Sequence, residues 1–278
     1  MAAVNSDGRG RFFTGRRPCI IGHRGAAGVA PENTLVSFRQ AIQDGADILE
    51  LDVYLTSDEQ VVVIHDAAVD RTTDGVGKIS GFTLEQLRSL DAGYRFQAGG
   101  SYPFRGKGIK IPTLQEVLDA FPNTPFSIEI KENNRALVRE LIKVLDRNGR
   151  LSDGSVICAS FKHRALAYAR RLAPQLATNF SKPETVAMMA RVKLCPALWR
   201  RKRSFRYVFQ IQRKVGRFNF TNQKAVRAVQ ALGYEVQVWT VNDEREMRHY
   251  LAMGVDGIIT DFPGRLRKVM DEISSADR

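Results

Sequence analysis

The stretch Cys19–Gly25, CIIGHRG, decides the reading of the fold: a short apolar run suited to a buried strand leads straight into His23 and Arg24. The same plan recurs downstream. Ile48–Val53 (ILELDV) carries Glu50 and Asp52, Gln60–Ile64 leads into His65 and Asp66, and Pro125–Ile130 carries Glu129 and leads into Lys131. Strand-like runs alternating with helical periods are the pattern of βα units on a parallel sheet. In a (β/α)8 barrel the carboxyl ends of the strands converge on one face, where such barrels build their active sites. The expectation is an α/β protein, a (β/α)8 TIM barrel. Two histidines, three carboxylates, an arginine and a lysine then gather at one rim, a set suited to metal-assisted chemistry on a phosphate.

The length of 278 residues fits this fold, which typically takes ~250. Apolar content of 44% and charged content of 26% are ordinary for a globular chain. No apolar run approaches the ~18 residues needed to span a bilayer. Residues 1–18 read as a polar N-terminal extension without the apolar core of a signal peptide, so a cytoplasmic location is expected. The barrel is expected over residues 19–270. Cys19, Cys158 and Cys195 are odd in number and far apart, which argues against a disulfide framework or a zinc knuckle; they read as structural.

Eight candidate strands match a closed barrel: Cys19–Gly22, Ile48–Val53, Gln60–Ile64, Pro125–Ile130, Ser155–Ala159, Gln175–Asn179, Glu235–Thr240 and Gly257–Thr260. A ninth run, Tyr207–Ile211, has no place in that count. Thr34–Asp44 reads as the first helix, with Asn33 as its N-cap and Gly45 closing it. Asn222–Leu232 and Asp243–Met253 share the plan, each ending before a glycine. After the third strand, residues 67–112 form an insertion too long for a plain loop, holding a short helix at Thr83–Leu90; a further helix follows at Thr113–Ala120. Insertions at this face commonly shape substrate pockets.

The net charge of +12 is concentrated. Thr185–Tyr234 holds twelve Lys or Arg and no Asp or Glu. Within it, residues 191–217 interleave bases with Trp199, Phe205, Tyr207 and Phe209. Such a segment suits peripheral contact with an anionic membrane, at the inner face of a membrane for a cytoplasmic protein, or a nucleic-acid backbone. A nucleic-acid partner is not the expected one, and a solvated charged surface is the competing reading.

Side chains two apart on a strand share a face, so Glu50 and Asp52 point together, and Glu129 and Lys131 likewise. Carboxylates turned into a barrel need a cation or ionic partners. An ion network with Arg24 and Lys131 is the bland alternative. Three carboxylates form a hard oxygen site that favours Mg²⁺ or Ca²⁺ over thiophilic metals. His163 and His249 sit among helical surface residues. His23 and His65 end strands on the carboxylate face, and a histidine pair can supply acid and base near neutral pH.

Together, GHRG (22–25), PENT (31–34), ELD (50–52), HD (65–66), EIK (129–131), WTVN (239–242) and DGIITDFP (256–263) resemble the glycerophosphodiester phosphodiesterase family, over about Cys19 to Leu266. The resemblance implies that Glu50, Asp52 and Glu129 hold one divalent cation, that His23 and His65 are the catalytic acid–base pair, and that Arg24 and Lys131 contact the phosphate. It implies a small-molecule glycerophosphodiester substrate, split to glycerol 3-phosphate and an alcohol through a cyclic phosphate. Phe161 and Trp239, near strand ends, are expected to wall the substrate pocket, with barrel-top packing an equal alternative. Glu32 and Asn33 are held outside the site, since PENT also serves to start a helix. Two further functions remain open: a membrane-associated lysophospholipase D using the basic segment, and a binding module for anionic lipid or nucleic acid with vestigial catalysis.

Overall fold

β-branched and aliphatic residues buried on alternate faces give this chain a ring of short strands. The computed structural model describes residues 18–194, 207–212 and 222–276. Its strands are β1 (Cys19–Gly22), β2 (Ile48–Leu55), β3 (Val61–Val63), β4 (Phe126–Ile130), β5 (Val156–Ala159), β6 (Ala177–Asn179), β7 (Tyr207–Gln212), β8 (Glu235–Trp239) and β9 (Gly257–Thr260). All but β3 pair parallel with their neighbours, and β1 bonds both β9 and β2, which closes an eight-stranded barrel. The TIM barrel is therefore the fold.

Two of the expected strands exchange roles. The run within Gln60–Ile64 is not a barrel strand: Val61–Val63 pairs antiparallel with the end of β2, Val53 opposite Val63. A parallel return would need a crossover of a dozen or more residues, and only the turn Thr56–Gln60 intervenes, closed by Thr56 N donating to Gln60 O at 3.0 Å. The unplaced run takes the vacated position, since β7 lies between β6 and β8. The insertion accordingly begins at the end of β2 rather than after a third barrel strand. It has its own small core of Val62, Ile64, Val69, Ile79, Leu87 and Ile111.

Most of the helices start on a side-chain cap, though the first does not use the expected one. In α1 (Leu35–Gln43) the cap is Thr34, whose hydroxyl accepts from Ser37 N; Asn33 is drawn to the barrel instead. Inside the insertion, α2 (Leu84–Ser89) opens on a capping box of Thr83 and Gln86. The next helix, α3 (Leu114–Ala120), has the same device from Thr113 and Glu116 and serves as the crossover into β4. Then follow α4 (Arg135–Arg147), α5 (His163–Leu172), α6 (Lys182–Leu194), α7 (Gln223–Ala231), α8 (Glu244–Met253) and α9 (Pro263–Ala276). Asn222 and Asp243 cap α7 and α8, and Gly254 closes α8 at φ +76°.

Alternation sorts the side chains. Leu49, Leu51 and Val53 of β2 face outward into the helix layer with Phe38, Leu114 and Phe126. Cys19, Ile21, Ile48, Ile157, Val208 and Ile259 fill the barrel floor. Each such side chain, fully buried, contributes ~1.5–3 kcal/mol. Cys158 is buried too, and burial pushes its thiol up to about 12, so it is inert. Among the described residues no helix is long and apolar enough to cross a membrane. The N-terminal extension before residue 18, Cys195 and most of the basic segment 191–217 lie outside the described residues.

Candidate active site

Register brings the acids together. Asp52 of β2 lies opposite Glu129 of β4, and Glu50 opposite Ser127. One oxygen each from Glu50, Asp52 and Glu129 falls within 4.8 Å of the others. The loop after β1 bends back to serve them: Arg24 takes φ +50°, and its amide donates to Glu50 Oε2 at 2.8 Å. Gly25 follows at φ +86°, where an added Cβ would lie 2.4 Å from Ser37 Oγ, so the turn requires glycine. Asn33 Nδ2 donates to Asp52 Oδ2 at 2.9 Å. Lys131 Nζ stands 3.2 Å from Asp52 Oδ1 and 3.1 Å from Glu129 Oε2, and Arg24 Nε is 3.3 Å from Asp52 Oδ2.

Arg24 and Lys131 are two cations beside three acids, of which Glu50 and Asp52 are buried and Glu129 half-buried. Burial, then the charge of Asp52, lifts the Glu50 carboxyl to about 7. Burial also raises Glu129, against the pull of Lys131. A cluster of hard oxygens whose ionised form is short of positive charge fits a divalent cation with oxygen preference.

Both imidazoles are anchored through Nδ1. His23 Nδ1 is 2.6 Å from Asp261 Oδ1, and His65 Nδ1 is 2.6 Å from Asp66 Oδ1. Burial works upward on both aspartates, but hydrogen bonds from His23 on one, and from Arg71 and His65 on the other, hold them below the ordinary range. As carboxylates they only accept, so Nδ1 carries a proton and Nε2 is the nitrogen left to take one up as the neutral ring or to give one as the imidazolium. Burial lowers His65, whereas for His23 burial is outweighed by the Asp261 hydrogen bond and the Glu50 charge, and its pKa rises. Asp261 is itself braced by Asn242 Nδ2 at 2.5 Å.

These groups surround a cavity of about 230 Å³, lined by His23, Arg24, Glu50, His65, Glu129, Lys131, Phe161 and Trp239 among others. The volume lies just below the ~300–1,000 Å³ of drug-sized pockets, which suits a small polar ligand. Phe161 and Trp239 form one wall, ring centroids 5.3 Å apart. Gln210 donates to Ser127 Oγ and Gln237 Oε1 at 3.0 Å each, which gives the cavity a neutral polar floor. Every residue expected at the site borders this cavity or, as Asp52, belongs to the acid cluster on it.

Other residues were missed. Glu32 and Asn33, held outside, belong to the site: Glu32 Oε1 accepts from Arg24 Nη1 at 2.9 Å, and Asn33 bonds Asp52. Asp66, Arg71, Asn242 and Asp261 were not singled out. Three of them lay inside quoted motifs, HD, WTVN and DGIITDFP, which was the available signal.

The family model for the glycerophosphoryl diester phosphodiesterase family matches residues 23–265. The chain belongs to the glycerophosphoryl diester phosphodiesterase family. It is accordingly an enzyme, a phosphodiesterase. It is 32% identical to a glycerophosphodiester phosphodiesterase of Bacillus subtilis (strain 168), over 96% of this chain and 91% of the relative. It is 28% identical to a human lysophospholipase D, over 92% and 87%. Its fold is similar to that of an Oleispira antarctica phosphodiesterase solved in complex with the product sn-glycerol-3-phosphate. The TM-score is 0.74 at 29% identity, with 92% and 97% of the chains covered.

Proposed function

We propose that this phosphodiesterase hydrolyses glycerophosphodiesters to glycerol 3-phosphate and an alcohol, using one divalent cation, Mg²⁺ or Ca²⁺. The observation that carries the reading is the convergence of three carboxylates and two carboxylate-anchored imidazoles on one cavity. Glu50, Asp52 and Glu129 hold the cation. When bound, it supplies Lewis-acid polarisation of the phosphate and offsets the charge that grows on it. Arg24 and Lys131 bind the phosphate oxygens and favour the more anionic transition state.

His23 and His65 share the proton traffic. One Nε2 takes the proton of the glycerol 2-hydroxyl as that oxygen bonds to phosphorus. The other gives a proton to the departing alcohol oxygen as its bond to phosphorus breaks. A water then opens the resulting cyclic glycerol phosphate, with the protons returned. Phe161 and Trp239 wall the pocket around the glycerol or its substituent.

Hydrolysis of glycerophosphocholine should stop in EDTA and return with Mg²⁺ or Ca²⁺, and ³¹P spectra should catch the cyclic phosphate. Full activity of both His23→Ala and His65→Ala would sink the reading. A lysophospholipase D activity is the second reading, favoured by the human relative and the basic aromatic segment. Equal enzyme on glycerophosphocholine and lysophosphatidylcholine, with and without anionic vesicles, decides between them.

A further inference from the structure

We propose that Arg71, contributed by the insertion, is a positioning residue for the reaction proposed above. Its guanidinium orients His65 through Asp66 and Arg24 through Glu32, which makes the insertion part of the catalytic apparatus.

The contacts form one continuous chain. Arg71 Nε donates to Asp66 Oδ2 at 2.5 Å, and the other oxygen of Asp66 holds His65 Nδ1. Arg71 Nη1 and Nη2 grip the two oxygens of Glu32 at 2.7 Å each. Glu32 Oε1 in turn accepts from Arg24 Nη1. The guanidinium thus commits three of its five N–H donors to two carboxylates, each of which supports a different cavity-lining side chain. Only a planar fork presents donors in that arrangement; an ammonium is a point charge.

The base of this clamp is rigid. Arg71 sits in a hairpin turn where Val69 N donates to Gly77 O and Ile79 N to Ala67 O. Thr73 Oγ1 ties back to Val69 O, and Asp70 Oδ2 accepts from Gly77 N. Val69 and Thr73 are fully buried. The Arg71 side chain is 47% exposed, so its ion pairs add little to folding stability. Their consequence is geometric. Without Arg71, Asp66 keeps one hydrogen-bond partner at its carboxylate and can turn about its side-chain bonds, and the imidazole turns with it. Glu32 loses its bidentate partner at the same moment.

The test uses full-length protein with ¹⁵N-labelled histidine. There are only four histidines, and the His65 signals are those lost in His65→Gln. In the natural chain His65 should be a single tautomer with the proton on Nδ1. In Arg71→Ala and Arg71→Lys its two nitrogen shifts should move toward each other as tautomers mix. In the same variants kcat on glycerophosphocholine should fall roughly tenfold or more, by analogy with losing the carboxylate that orients a metal-bound histidine. The melting temperature should fall by no more than a few degrees, so the protein stays folded at the assay temperature. Rescue of both readouts by Arg71→Lys, an unchanged tautomer, or wild-type kcat in Arg71→Ala would overturn the proposal. Should Arg71→Ala not fold, Arg71→Lys and Arg71→Gln give the same readouts. The tautomer measurement needs no substrate, so a failure of the proposed phosphodiesterase reaction would be seen separately.

Discussion

Replacing Glu50 by glutamine should stabilise the cation-free protein while removing its response to a divalent cation. Glu50 is only 6% exposed, and burial with the neighbouring Asp52 charge lifts its carboxyl from the ordinary 4.5 to about 7. At ~1.36 kcal/mol per tenfold change in an equilibrium, keeping that group ionised in the folded chain costs ~3 kcal/mol. A raised carboxyl means that the folded state binds the proton more tightly than the unfolded state. Its contribution is therefore favourable at low pH and is lost as pH rises from 4.5 through about 7. Glutamine keeps the shape, and its carbonyl still accepts from the Arg24 amide. Urea denaturation in EDTA near pH 8 should show Glu50→Gln more stable than the natural chain by ~2–3 kcal/mol, with the gap closing toward pH 4. Added Mg²⁺ or Ca²⁺ should raise only the natural chain, by ~2.7 kcal/mol at a hundredfold excess over Kd. A variant less stable than the natural chain in EDTA near pH 8 would refute the argument that uncompensated acid charge defines this site.

Three other outcomes follow from particular contacts. Gly25→Ala forces a side chain into φ +86° against Ser37 and should lose ~2 kcal/mol or more in thermal melts, with activity falling as the Arg24 amide shifts off Glu50. Glu32→Gln should matter less as acidity rises. Arg71 and Arg24 hold the Glu32 carboxyl at about 2 against burial, so its stabilisation is present above 4.5 and lost as pH falls through about 2. The stability gap between the two proteins, followed by denaturant titration from pH 6 to 2, should narrow. Trp239→Ala removes half of the aromatic wall and should raise KM for glycerophosphocholine several-fold with the melting temperature retained; an unchanged KM in initial-rate kinetics would assign Trp239 to barrel-top packing alone.

What the sequence revealed of the site depended on how locally each signal was written. Glu50 and Asp52 share a face because strand geometry alternates with a period of two, and this needs no knowledge of the fold. Asparagine and aspartate before apolar helical periods announced α7 and α8 correctly, because a cap is satisfied within three residues. Asn33 broke that rule. Its side chain had a stronger claim on it from Asp52, nineteen positions away, and Thr34 took the cap. The valines of β3 misled for a related reason: apolar residues on both faces read the same in a parallel barrel strand and in a hairpin beside it.

The amino-acid sequence by itself determined the class of fold, the strands that end in chemistry and the presence of three acids and two histidines suited to a cation and a phosphate. Those properties rest on periodicity, residue type and short spacing. Only the tertiary structure decided which eight strands close the barrel, and which carboxylates hold the imidazoles and the clamp. Asp261 reaches His23 across 238 positions and Arg71 reaches Glu32 across 39. Ion pairs of that separation leave no periodic trace, since they exist only after the backbone has brought their ends together.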